Sequence, residues 1–211
     1  MAASRQSPLF HRHEQDGANF VDHHGWRVPA YFTFAQKEAE QLSKAVALGD
    51  LSWMVKLDLK GREMPAIDAP VCTLGVRHFL VICDPAAKER VLKQLQAPSA
   101  SGDPSVSRAY VTDVTSVYAQ FLVAGPRSRD VLRKLTSLNV SALTNLACGQ
   151  ASLAHAHSIV LRNDLNEIPA FHVFVSREYG ESVWEAILHA GHEFHIGPFG
   201  LKALDVLAGR L

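Results

Sequence analysis

Apolar positions along the chain follow two periods. Between Phe34 and Leu48, Ala35, Ala39, Leu42, Ala45, Val46 and Leu48 recur at three- and four-residue intervals before Gly49, which predicts an amphipathic helix with a glycine stop. Val55, Leu57 and Leu59 then alternate with Lys56, Asp58 and Lys60 up to Gly61, the period of a half-buried strand. Phe79 to Cys83 is a continuous apolar run that reads as a buried strand. Asp84-Pro85 after it supplies an N-cap and a helix-starting proline, with Val91, Leu92 and Leu95 as the apolar face of the helix. Tyr110 to Val114 and Tyr118 to Val123 read as strands, and Ala124-Gly125-Pro126 turns the chain into a helix carrying Val131, Leu132 and Leu135. Further strands are expected around Ile159 to Leu161 and Phe171 to Val175. A helix follows from Glu178 to His189 with Val183, Trp184, Ile187 and Leu188 as its buried stripe. Ala97 to Ser107, with two prolines, a glycine and four serines, reads as a surface loop between structural units. Strands and helices mix without a regular βαβ rhythm, so the fold class is α+β, with mixed or antiparallel sheets flanked by helices.

Composition narrows the function. The 211 residues are 47% hydrophobic and 20% charged, enough apolar material for a core without staples. Twenty-one basic residues balance twenty-one acidic ones, so no strong field attracts nucleic acid or an anionic bilayer. No apolar run approaches membrane-spanning length and the N-terminal residues do not resemble a signal peptide, which reads as a soluble, cytoplasmic protein. Cys72, Cys83 and Cys148 are odd in number and lack CxxC spacing; they read as buried thiols rather than a disulfide framework or a zinc site.

Eleven histidines raise a metal reading, but His11-Arg12-His13, His23-His24 and His155-Ala156-His157 lack a zinc-ligand signature, and no metal is expected. His155 and His157 would share one strand face. Gly125-Pro126-Arg127 reads as a tight turn before a helix, and there is no GxSxG, HExxH or GxxxxGK motif.

Several ordered segments together resemble a known family. Ser7-Pro8-Leu9-Phe10, Gly17-Ala18 and the run Val21 to Tyr31 (VDHHGWRVPAY) resemble the opening of the glycine-cleavage aminomethyltransferase, or T-protein, family. Ala45 to Gly61 (AVALGDLSWMVKLDLKG) resembles its helix end, its Asp-Val-Ser-His-Met turn and the next strand, with Trp53 in place of the histidine. Val111-Thr112-Asp113-Val114-Thr115, Ala124-Gly125-Pro126 and Gly197-Pro198-Phe199-Gly200-Leu201 continue the match in family order. The resemblance implies a folate-binding aminomethyltransferase-like fold: residues 1–50 and 117–211 as a discontinuous folate-binding-type domain, and 51–116 as a shortened inserted α+β subdomain. It also implies that tetrahydrofolate accepts a methyl or methylene group. Such chemistry needs an apolar slot for the pterin, a carboxylate for its donor nitrogens and one acid/base or electrostatic group nearby.

Carried over residue by residue, the resemblance points to Asp68 as the catalytic carboxylate, upstream of the Phe79 strand, although the family's glycines are missing around it. The other reading of Asp68 is a solvated or capping loop residue. The family's Tyr-Thr-Gly-Glu segment falls on Asn163-Asp164-Leu165-Asn166-Glu167, which makes Glu167 the pterin carboxylate with Asp164 as its backup; the other reading is a polar hairpin connection. Trp26, Tyr31, Trp53 and Met54 are candidate pocket lining, or plain core. Leu204 stands where the family carries arginine, and the chain stops where the family continues into a C-terminal barrel.

Two functions follow as expectations. One is a tetrahydrofolate-binding unit of a multicomponent demethylase, methyltransferase or oxidase, acting on a small one-carbon donor, with a protein partner or a second copy restoring the missing wall. The other is a non-catalytic scaffold subunit that keeps the fold without folate chemistry. A folate-dependent repair or regulatory branch lacks its cysteine-bearing motif here.

Overall fold

The computed structural model describes residues 4–97 and 110–210. Most of the predicted loop from Ala97 to Ser107 therefore lies outside the described residues. The chain forms two compact units, Met1–Trp53 with Tyr118–Leu211, and Met54–Val117.

The larger unit opens with β1 (Arg5–Gln6), α1 (Phe10–Gln15), β2 (Asn19–His23) and β3 (Trp26–Tyr31), followed by α2 (Ala35–Lys44) and β4 (Ala47–Asp50). The smaller unit holds β5 (Val55–Lys60), β6 (Val71–Gly75), β7 (His78–Cys83), α3 (Lys88–Gln96) and β8 (Tyr110–Asp113). The larger unit resumes with β9 (Tyr118–Ala124), α4 (Ser128–Leu132), β10 (Cys148–Leu153), β11 (Ala156–Arg162) and β12 (Ala170–Ser176). It ends with α5 (Gly180–Gly191), β13 (Gly197–Phe199) and α6 (Leu201–Leu207).

The main sheet has the order β10-β11-β12-β9-β4-β13 and is antiparallel except for the β4–β13 pair. One face carries Phe121, Val123, Val173, Val175 and Val160, packed with Val183, Trp184 and Ile187 of α5 and Val131 and Leu132 of α4. Complete burial of each such side chain contributes about 1.5–3 kcal/mol, so this layer is the main source of stability in the unit. A second sheet, β1-β3-β2, combines a parallel and an antiparallel pair. In the smaller unit the sheet β6-β7-β5-β8 packs Leu57, Leu59, Phe79 and Val81 with Val91 and Leu95 of α3. The α+β class with mixed and antiparallel sheets is observed.

The helix expected from Phe34 to Leu48 ends at Lys44, and Ala47–Asp50 is a strand. The AVALG run is buried on both sides, and its pairing with β9 outweighs the helical spacing. Gly49 is not a helix stop: a Cβ there would lie 2.3 Å from the Phe199 ring, so glycine lets β13 pack on β4. Gly125 does turn the chain, with φ +128° and a Cβ position 2.4 Å from the Ala45 carbonyl oxygen. Asp84 caps as expected, its Oδ1 accepting the Ala86 N–H at 2.8 Å, but the first turn is 3-10 before α3 begins. His155 and His157 do not share a strand face: Ala154 and His155, at φ +47° and +68°, form the β10–β11 turn. Cys72 and Cys83 are buried, whereas Cys148, in the edge strand that apolar patterning missed, is only half-buried.

Candidate functional site

In the larger unit, a groove of about 520 Å³ runs between the β11–β12 connection and the last helix. Asp164, Leu165 and Asn166 line one side; Leu204, Leu207 and Arg210 line the other. The connection closes as a short turn in which Leu165 and Ile168 exchange backbone hydrogen bonds of 2.9 and 3.0 Å and Asn166 adopts φ +56°. Asparagine tolerates that left-handed conformation better than most residues, which is why the chain reverses there.

Asp164 is the groove's fixed charge. Its Oδ1 accepts Arg162 Nε at 3.0 Å and the Ala170 N–H at 3.2 Å, while Oδ2 accepts Arg162 Nη2 at 2.7 Å. Only 14% of its side chain is exposed. Burial opposes its charge, but the Arg162 fork, the Ala170 amide and the more distant Arg129 outweigh burial and hold the carboxyl below its usual range. A carboxylate offers about four lone-pair directions, so one on Oδ2 stays open beyond these three bonds.

The other residues singled out in the sequence are dispersed. Glu167 lies in the same turn with its side chain exposed. Trp26 is 4% exposed on β3, where the Arg5 guanidinium lies 5.9 Å from its ring centre, and Tyr31 ends that strand half-buried. Trp53 is 6% exposed, edge-on to the His23 ring at 4.5 Å. None of these lines the groove. Met54 and Asp68 belong to the smaller unit. The Asp68 side chain is 89% exposed and bonded to Arg90 Nη1 at 3.3 Å.

Several buried polar groups escaped the sequence reading, three of them in the larger unit with well-defined partners. Asp50 accepts His13 Nε2 at 3.0 Å on Oδ2, and the Ser52 N–H and hydroxyl at 2.9 and 2.6 Å on Oδ1. Gln120 Nε2 donates to His172 Nδ1 at 3.0 Å inside the main sheet. Glu38, 2% exposed, binds the backbone at both ends of its carboxylate. A signal existed for two of them. His13 follows Phe10 by one helical turn and shares its buried face, and Glu38 lies between Ala35 and Leu42 on the apolar stripe of α2.

Comparison with known proteins places this architecture. The profile described as the GCVT N-terminal domain matches residues 64–209. An aminomethyltransferase of Saccharopolyspora erythraea is 29% identical over 98% of this chain and 64% of its own length, and one of Desulfitobacterium hafniense (strain Y51) is 23% identical over the same shares. The chain thus spans about two thirds of the length of these curated relatives. Among solved structures, glycine cleavage system aminomethyltransferase T from Bartonella henselae superposes with a TM-score of 0.75 at 17% identity, over 96% of this chain and 61% of the other. A chain of the heterotetrameric sarcosine oxidase from Corynebacterium sp. U-96 superposes with a TM-score of 0.60 at 18% identity, over 90% of this chain and 96% of the other. With more than half of its residues matched by that profile, the chain belongs to the GCVT N-terminal domain family.

Proposed function

We propose that this chain is a subunit of a multicomponent oxidase or demethylase that takes a one-carbon unit from an N-methylated amine and passes it to tetrahydrofolate. The observation that supports this reading is the fold shared with a chain of a heterotetrameric sarcosine oxidase, at a TM-score of 0.60. The groove beside α6 suits one edge of a reduced pterin: Leu165, Leu204 and Leu207 supply apolar walls, and Asp164 Oδ2 keeps an acceptor direction for a ring N–H. In this reading Asp164 holds the pterin within the groove, Glu167 meets it from the exposed side of the same turn, Asp68 assists transfer, and a partner subunit covers the open side.

The exposure of Asp68 favours a second reading. A carboxylate 89% exposed loses most of its electrostatic leverage to solvent, as expected of a scaffold subunit without chemistry of its own. Calorimetric titration of tetrahydrofolate, into the chain alone and into its complex with the products of neighbouring reading frames, separates the two. Saturable binding in either sample supports one-carbon transfer. No heat in both, from a complex that forms, leaves the scaffold.

A further inference from the structure

We infer that Glu38 and Gln41 form a clasp on one face of α2 that sets where α6 lies, which makes Glu38 a positioning residue for the groove that α6 walls. The two side chains are three residues apart and project from the same side of the helix. Gln41 Nε2 donates to the His195 carbonyl at 2.6 Å and to the Val46 carbonyl at 3.3 Å. Glu38 Oε2 accepts the Gly200 N–H at 2.9 Å. His195 and Gly200 bracket β13, so the clasp holds both ends of the strap leading into α6.

The other oxygen of Glu38 fixes the clasp itself. Oε1 accepts the Phe32 and Thr33 N–H groups at 2.7 Å each and the Thr33 hydroxyl at 3.3 Å. Among the described residues these donors are all neutral, and successive backbone N–H groups around an anion form a nest. The carboxylate thus fills this nest with one oxygen and holds the residue that precedes α6 with the other. Gly200 is needed there, because a Cβ would come within 2.3 Å of the Ala30 carbonyl carbon and oxygen.

Helix α6 packs on α2 and β3 but buries few of its side chains completely. Ala203 is its one fully buried residue, while Leu201, Leu204, Val206 and Leu207 are half-buried. An element with so little buried apolar surface opens before the sheet does, and its polar anchors decide how often. The connection to ligand rests on the folate reading; the connection to α6 does not.

Amide hydrogen exchange followed by mass spectrometry tests the clasp on the full chain. In Glu38→Gln, whose amide turns an NH2 toward backbone donors, residues 197–207 should exchange at least ~10-fold faster while β9 and β12 keep their wild-type rates. Gln41→Ala should produce the same local pattern more weakly, and it carries the test if Glu38→Gln does not fold. Unchanged exchange in α6, or acceleration spread evenly over the main sheet, overturns the proposal. Tetrahydrofolate titrations of the same proteins report separately: if wild type binds none, the folate reading falls and the exchange pattern still decides the clasp.

Discussion

His13 Nε2 lies 3.0 Å from Asp50 Oδ2, and the two side chains are 0% and 2% exposed. The pair joins α1 to the end of β4. The His13 ring is held edge-on between Trp184, at 4.9 Å, and Phe32, at 5.4 Å. Burial opposes the Asp50 charge, but His13, Ser52 and Ser7 together draw its pKa below the ordinary value. Removing one partner leaves the other buried and uncompensated. Asp50→Asn should therefore cost about 3–5 kcal/mol in urea unfolding at neutral pH.

The same pair sets a pH dependence. Folding lowers the Asp50 pKa, so its stabilisation is complete above the free-aspartate value of about 3.9 and is lost as pH falls through the folded-state value. Urea midpoints should drop through that acid range in the wild type, and the acid limb of Asp50→Asn should be flatter. Parallel acid limbs would show that another group controls the transition.

Three glycine substitutions should rank by surroundings. Gly125→Ala combines a positive φ with a Cβ 2.4 Å from backbone, and should lose more than about 3 kcal/mol. Gly49→Ala presses on the Phe199 ring and should cost about 1–3 kcal/mol. Gly17→Ala, at φ +78° with open space around it, should cost only about 1 kcal/mol. Thermal denaturation of the three proteins checks the order.

The site assignments have distinct kinetic signatures. Asp68 and Glu167 are exposed, so substituting either should change stability by no more than about 0.5 kcal/mol, which leaves ligand readouts clean. Under the folate reading, Asp68→Asn should lower turnover of the assembled enzyme far more than folate affinity. Glu167→Ala should weaken folate binding. Equal and negligible effects from both would place the site elsewhere in the fold.

Thiol labelling should follow burial and charge. Desolvation, then the neighbouring Asp84, pushes the Cys83 pKa up to about 11, which keeps it protonated at pH 8. Iodoacetamide at that pH should modify half-buried Cys148 first and Cys83 only on unfolding.

Periodic segments were legible in the sequence, and segments governed by distant contacts were not. Val55, Leu57 and Leu59 alternate because one face of β5 packs with α3, although Lys56 on the other face is buried as well, which a half-buried strand does not predict. Ala45 to Gly49 carries no such mark: its extended form depends on β9 and β13, both far along the chain. The same holds for the candidate site. The family resemblance points to the Asp164 to Glu167 connection and prefers Glu167 as the counterpart of the family's glutamate. The structure seats Asp164 in the groove because Arg162 and the Ala170 amide draw it inward. Glu38 and His13 lie on apolar helix faces that mark them for burial, but local spacing does not reveal which backbone donor or carboxylate each will meet.

The smaller unit leaves the larger one and returns to it at adjacent places. Asp50 on β4 pairs with Phe121 on β9, and the Leu51 N–H donates to the Gln120 carbonyl at 2.8 Å, so entry and exit lie on neighbouring antiparallel strands. A tight reverse turn between those strands would leave the main sheet with its register intact. The segment from Met54 to Val117 is thus a cassette on a ready-made hairpin, whose two ends meet the scaffold on neighbouring strands.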